Sequence, residues 1–329
     1  MNRLALLGAG SWGTALAIAL ARRFGEIRIW ARDADRAAEI QLHRENKRYL
    51  PGFRLPDEIL ISHNIPSVVA GTDVVLCVVP STHLRFVLTC ACPYIPASAI
   101  IVSATKGIEE DSLLRMSEVI AHILGGRQIA VLSGPTFAKE IAAGEPAAVV
   151  IASQTANTAE QIQSAFATPT LRFYASTDVI GVEIGAALKN VIALAAGVCR
   201  GLGMGSNSVA ALITRGLAEI TRLATAMGGN PRTLSGLAGL GDLVLTATGD
   251  LSRNRYVGLQ LGLGHKLSDI IGGMNMVAEG VTTCRAAYQL GIAQNVELPI
   301  IGKVYEILYQ EKHPRSAIRE LMDRPLTNE

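Results

Sequence analysis

The chain carries almost no net charge: 30 Lys and Arg against 28 Asp and Glu leave +2. That balance argues against nucleic acid as the main partner, because domains that hold a phosphate backbone present a strongly basic face. Long apolar runs are also missing. The longest uncharged apolar stretches, such as residues 191–199, fall well short of the roughly 20 residues a spanning helix needs, so no membrane insertion is expected. The N-terminus shows no secretory pattern, since glycines interrupt its apolar run at once. Cysteine is sparse and odd in number, five residues, with only Cys90 and Cys92 close together. A lone C-x-C pair makes no metal site, so these read as free thiols, mostly core residues, in a reducing cytoplasm.

What is present is apolar. The 329 residues are 49% hydrophobic and 18% charged, enough for two ordinary domains with substantial cores. In the first half, short apolar runs alternate with helical stretches. Strands are expected at 4–7, 27–30, 74–79, 100–103, 129–133 and 147–152, with a helix over 12–24. Val/Ile runs without polar alternation suit a parallel sheet covered on both faces. The pattern after about residue 179 is helical and long, at 179–200, 208–227, 254–262, 282–290 and 300–309. The fold class expected is α/β: a Rossmann-type doubly wound parallel sheet over 1–178, then an all-helical domain over 179–329.

GAGSWG, from Gly8 to Gly13, follows the first strand and opens the first helix. Gly8 suits the tight turn, Gly10 a close backbone approach to a pyrophosphate, and Gly13 close helix–strand packing. The free N–H groups of the helix start favour the anion. A glycine-rich turn without a ligand is the plainer alternative. The second strand leads into Arg32 and Asp33. An acid there suits the ribose hydroxyl of NAD and an arginine the 2′-phosphate of NADP. NADP is favoured, with NAD tolerated.

Lys189 and Asn190 lie in an apolar helical stretch whose one other charge is Glu183 before Arg200. Burying an ammonium ion costs several kcal/mol unless a partner or ligand offsets it. Lys189 is therefore a salt-bridged structural residue or an acid–base group. Six residues separate it from Glu183, which puts the two on different helix faces and makes Asp242 the better partner. Gly185, one turn before Lys189, leaves room for a substrate or another chain segment.

Other segments place small polar residues beside isolated charges. Lys106 sits in SATKG, just past the strand expected at 100–103, as an anion contact or an ordinary loop lysine. In SGPTFAKE, Gly134 allows close approach and Thr136 is placed to cap the next helix. In GLGD, Gly239 and Gly241 suggest a turn presenting Asp242. Ser252 is a helix cap followed by Arg253, Asn254 and Arg255. Cations are disfavoured at a helix start, so an anion bound there makes sense of them, a solvated basic turn being the alternative.

Together these segments, with the LKN of residues 188–190 and the AEG of 278–280, resemble the bacterial-type NAD(P)-dependent glycerol-3-phosphate dehydrogenases, in order along nearly the whole chain. The resemblance implies reversible NAD(P)H-dependent reduction of dihydroxyacetone phosphate to sn-glycerol 3-phosphate for phospholipid synthesis, with NADPH favoured over NADH. It implies Lys189 as the catalytic acid–base. Lys106, Gly134, Thr136, Asp242, Ser252, Arg253 and Asn254 would surround the small phosphorylated substrate in the helical substrate domain. Gly8, Gly10, Ser11, Trp12, Gly13, Arg32, Lys106, Ala138, Arg253, Val277 and Glu279 would line the cofactor. No metal is implied, and a homodimer is left open. Thr136 stands where the family commonly has serine, which keeps the hydroxyl. The rivals are a 3-hydroxyacid or 6-phosphogluconate type of dehydrogenase and a non-catalytic NAD(P) sensor, which has no need of Lys189, Lys106 and Asp242 together.

Overall fold

The computed structural model describes residues 1–274 and 276–325. Its described contacts divide the chain into one unit of residues 1–106 and 114–183 and another of 107–113 and 184–329.

The first unit is built on a single sheet. Its strands are β1 Arg3–Leu7, β2 Glu26–Trp30, β3 Ile59–Ser62, β4 Val74–Cys77, β5 Ile100–Ser103, β6 Ile129–Ser133, β7 Ala147–Ala152 and β8 Leu171–Ser176. They run in the order β3-β2-β1-β4-β5-β6-β7-β8. The fold is the doubly wound α/β sheet anticipated, with one departure: β7 is antiparallel to β6. The connection between them explains it. The helix Ala138–Ala143 has six residues, about 9 Å, too short to carry the chain back along five-residue β6, about 16 Å.

Two strands, β3 and β8, were not anticipated. Both lie at sheet edges. In β8, Leu171 and Phe173 are buried while Arg172 and Tyr174 are exposed, and in β3 Leu60 is exposed between buried Ile59 and Ile61. Such half-covered strands lack the continuous apolar run of the central ones. Central β1 supplies both faces. Leu4 and Leu6 pack with Ala15, Leu16 and Leu20 of the helix Ser11–Leu20, whereas Ala5 and Leu7 pack with Leu84, Val87 and Leu88 of the helix Ser81–Ala91.

The second unit is helical among its described residues. Its main elements are most of the helix Val179–Gly201, then Ser206–Ala226, Arg253–Gly262, Glu279–Ala293 and Pro299–Tyr309. By length and composition Val179–Gly201 is apolar enough to cross a membrane, although 94% of its most apolar window is buried inside the protein. The expectation from uncharged runs alone missed this because Glu183 and Lys189 interrupt the stretch. A helix apolar on all sides belongs in a core.

Four glycines set a close helix crossing there. A Cβ at Gly197 would stand 2.1 Å from the Arg255 carbonyl oxygen, and one at Gly258 would stand 1.9 Å from that of Leu194. Gly201 and Gly262 meet one turn further on. Small residues four apart on each helix let the two backbones touch. This crossing brings the start of Arg253–Gly262 beside Asn190.

Glu219, 2% exposed, accepts the N–H groups of Ile300 at 2.6 Å and Ile301 at 3.1 Å, at the start of Pro299–Tyr309. Burial pushes its carboxyl up to about 7, against those two hydrogen bonds. A raised acid favours the folded state below its ordinary pKa near 4.5 and loses that contribution as pH rises through about 7. Glu219→Gln keeps an acceptor without the charge. Its melting temperature relative to the parent is expected to climb between pH 5 and pH 8, by an amount on the order of a few degrees. A difference that stays constant over that range, in thermal scans of both proteins, refutes the assignment.

Candidate active site

In the first unit, β1 ends at Leu7 and the chain turns at once. Gly8 has φ +126°, and a Cβ there would lie 2.8 Å from the Val78 carbonyl oxygen. A Cβ on Gly13 would fall 2.2 Å from the Gly8 oxygen, while nothing lies within 4 Å of one on Gly10. The glycine loop is thus tight on the protein side and open at Gly10. The helix Ser11–Leu20 has Gly10 as its N-cap, with no side-chain cap and no acid in its first turn, Trp12 included. An anion such as a pyrophosphate fits this helix start, which sits beside the β1–β4 pair where the strand order reverses.

The loops after β5 and β6 hold Lys106 and Gly134. Lys106 is half-buried, and its Nζ donates to the Gly134 carbonyl oxygen at 3.4 Å. Gly134 packs on the backbone of Ala148 and Val149, where a Cβ would approach to 3.0 Å. Thr136 is not the helix cap anticipated. Phe137 takes that position ahead of Ala138, and the Thr136 hydroxyl turns back to donate to the Gly134 oxygen at 3.1 Å. Past β2, Asp33 caps the helix Ala34–His43 by accepting from the Arg36 N–H at 2.8 Å. That hydrogen bond holds its carboxyl below the usual range. Arg32 beside it is exposed.

Glu183 has its own partners in this unit. Arg115 donates to it at 2.5 Å, the Ser117 N–H at 2.7 Å and the Ser117 hydroxyl at 2.6 Å. Burial pushes the Glu183 carboxyl up and the Arg115 guanidinium opposes that. The helical-phase argument against a Glu183–Lys189 pair is consistent with this.

In the second unit, Lys189 Nζ donates to Asp242 Oδ1 and to the Thr246 hydroxyl at 2.9 Å. The three residues are 6%, 1% and 5% exposed, so a cation and an anion share a nearly dry site. Asp242 and Thr246 are one turn apart on the helix Asp242–Thr248 and face the same way. Thr246 donates its own proton to the Asp242 carbonyl oxygen at 2.6 Å, which leaves its lone pairs for the ammonium. The segment before Asp242 is not the turn anticipated. Leu237–Gly241, with Gly239 and Gly241, winds as a π-helical turn running into that helix. It is this segment that approaches Gly185, whose Cβ would stand 2.8 Å from the Ala238 carbonyl oxygen.

Ser252 caps Arg253–Gly262, accepting from the Arg255 N–H at 3.2 Å. Arg255 pairs with Asp250 at 2.7 Å. The Asn254 amide is engaged at both ends: it donates to Asn190 Oδ1 at 2.9 Å and accepts from the Gly280 N–H at 2.8 Å. Asn254 therefore braces three helices around Lys189. Arg253 is solvent-exposed at the helix start, and the chain packed around it lowers its guanidinium pKa while the Glu279 carboxylate opposes that. Glu279 opens the helix Glu279–Ala293, and Val277, 45% exposed, precedes it. Sequence reasoning gave no role to Thr246 or Asn190. The spacing of four from Asp242 was the available signal for Thr246.

A doubly wound sheet with an anion-ready glycine loop, followed by a helical unit with a buried lysine–carboxylate pair, defines the class of two-domain nicotinamide-nucleotide-dependent dehydrogenases. Family models described as NAD-dependent glycerol-3-phosphate dehydrogenase N-terminus and C-terminus match residues 3–159 and 178–319. The chain belongs to this family. It is 51% identical to the glycerol-3-phosphate dehydrogenase [NAD(P)+] of Citrifermentans bemidjiense, with 100% of this chain and 99% of that protein covered. The identity is also 51% to the protein of the same name from Koribacter versatilis, at the same coverages. Its fold matches the crystal structure of glycerol-3-phosphate dehydrogenase from Coxiella burnetii with TM-score 0.95 and 40% identity, over 98% of this chain and 99% of that one.

Proposed function

We propose that this chain catalyses the reversible NAD(P)H-dependent reduction of dihydroxyacetone phosphate to sn-glycerol 3-phosphate, in the cytoplasm, for glycerophospholipid synthesis. The observation that carries the reading is the buried Lys189 ammonium held by Asp242 and Thr246. The names of the relatives support it.

Residues 1–178 form the dinucleotide-binding domain in this reading and 179–329 the substrate-binding and catalytic domain. Gly8, Gly10, Ser11, Trp12 and Gly13 hold the pyrophosphate end of the cofactor, with Arg32, Ala138, Val277 and Glu279 lining the rest. When bound, the nicotinamide supplies the hydride. Lys189 gives the substrate's C2 oxygen a proton from Nζ, and in oxidation takes it back. Asp242 and Thr246 keep that Nζ aimed and offset the cost of burying its charge. Lys106 stabilises negative charge on the same oxygen. Gly134 packs against β7 and its carbonyl oxygen holds Lys106 Nζ, and Thr136 offers a hydroxyl. Arg253 meets the substrate phosphate at a helix start whose N–H groups Ser252 and Asn254 keep in order.

Oxidation of NADPH and of NADH followed by absorbance, with dihydroxyacetone phosphate as substrate, tests the reading. No turnover with either cofactor refutes it. Arg253→Ala is expected to raise KM for dihydroxyacetone phosphate about tenfold or more, as the loss of a charged hydrogen bond to phosphate should. Steady-state kinetics with unphosphorylated dihydroxyacetone as control decide this, since an equal loss with both substrates removes the phosphate assignment.

A further inference from the structure

We propose that Arg36, held on the ring of Tyr49 beside Arg48, is the specificity-determining residue that reads the 2′-phosphate distinguishing NADPH from NADH. The proposal rests on the dinucleotide reading of the first unit and deepens it.

In doubly wound sheets the adenosine end of a dinucleotide lies past the carboxyl end of the second strand. Here β2 ends at Trp30, and Arg32, Asp33 and the helix Ala34–His43 follow. An acid at this place ordinarily takes the ribose hydroxyls and repels a 2′-phosphate. Asp33 is committed elsewhere, because its carboxylate accepts the Arg36 backbone N–H and caps the helix.

The ring is tied to the glycine loop. Asn46, 1% exposed, donates from Nδ2 to the Ala9 carbonyl oxygen and to the Thr14 hydroxyl, both at 2.9 Å. Its Oδ1 accepts from the Tyr49 N–H at 3.4 Å, and its carbonyl oxygen accepts from the Leu50 N–H at 2.8 Å. A buried amide thus fixes residues 46–50 against the loop that would cradle the pyrophosphate. Tyr49 is a platform with a set distance from that loop.

Two guanidiniums gather on this platform. The Arg36 Cζ lies 5.4 Å from the ring centroid and the Arg48 Cζ 5.6 Å. Arg36 also donates from Nη1 to the Tyr49 hydroxyl at 3.0 Å, which orients its fork. Ring contact favours each cation separately. Two like charges on one ring repel each other, and a dianionic phosphate between them and exposed Arg32 offsets that repulsion. Asp33 and Asp35 at the start of the same helix and Glu39, three residues after Arg36, are the carboxylates of this segment, and Asp33 faces the backbone. The planar, half-buried guanidinium of Arg36 suits two-point contact with phosphate oxygens, which a lysine cannot make.

Calorimetric titration of the full chain with adenosine 2′,5′-bisphosphate and with 5′-AMP isolates the 2′-phosphate. The parent is expected to bind the bisphosphate more tightly. Arg36→Ala is expected to weaken bisphosphate binding about tenfold or more, as loss of charge-assisted bonds to phosphate implies, and to leave 5′-AMP within about threefold. Retained 5′-AMP binding also reports that the variant is folded. Arg36→Lys should recover part of the loss. Equal weakening of both nucleotides, no weakening of either, or a parent that does not discriminate between them overturns the proposal while the dinucleotide reading stands. A parent that binds neither nucleotide refutes that reading and the proposal with it.

Discussion

Lys189→Ala is expected to lose most of kcat and to keep NADPH binding. The expected loss is about 10²–10⁴-fold, the usual size of a positioned proton donor's contribution. The reason lies in the surroundings of Nζ. It is the ammonium of a residue 6% exposed, and Asp242 and the Thr246 hydroxyl hold it in one place. Water has little access to replace it, so alanine leaves the developing oxyanion without a donor. The cofactor-side residues Gly8, Gly10 and Ser11 belong to the other unit. NADPH titration by fluorescence therefore separates a missing proton from a collapsed fold. A kcat within about threefold of the parent, with binding intact, removes Lys189 from the chemistry.

The central sheet and the long helices were legible because burial on both faces writes a simple pattern. Strands such as 100–103 and 147–152 carry uninterrupted apolar runs, and the structure has β5 and β7 there. The edges were not legible for the converse reason. β8 alternates buried Leu171 and Phe173 with exposed Arg172 and Tyr174, so its signal dilutes into the loops around it. The reversal of β7 depends on the length of the helix Ala138–Ala143, which no strand pattern encodes.

The site was legible where a residue's chemistry conflicts with its neighbourhood. A lysine in an apolar helix requires a partner; helical phase made Glu183 a poor one, and the motif set made Asp242 the better candidate. Thr246 conflicts with nothing around it, so only three-dimensional contacts give it a role. The expected cap at Thr136 failed because the helix begins one residue later, with Phe137 at the cap position, and the Thr136 hydroxyl donates to the Gly134 oxygen. The crossing of Gly197 and Gly201 with Gly258 and Gly262 was present as two spacings of four. Its meaning depends on which helices meet.

Asp242→Ala is expected to destabilise the chain by about 3–5 kcal/mol, more than its loss of packing explains. Asp242 is 1% exposed, and its carboxylate is the anionic partner of the buried Lys189 ammonium. Removing one member of such a pair leaves the other's charge without compensation in a dry site. The chain then stays folded with a costly cation or drops the Lys189 proton, and both outcomes impair proton donation. The double variant Lys189→Met with Asp242→Leu separates stability from chemistry. Two apolar side chains remove both charges, so it should recover most of the stability lost by Asp242→Ala while remaining inactive. Denaturant unfolding of the parent, Lys189→Met, Asp242→Leu and the double variant gives the coupling directly. Additive losses across that cycle would mean that the two residues act independently, and the buried pair would cease to explain why a lysine is tolerated in this helix.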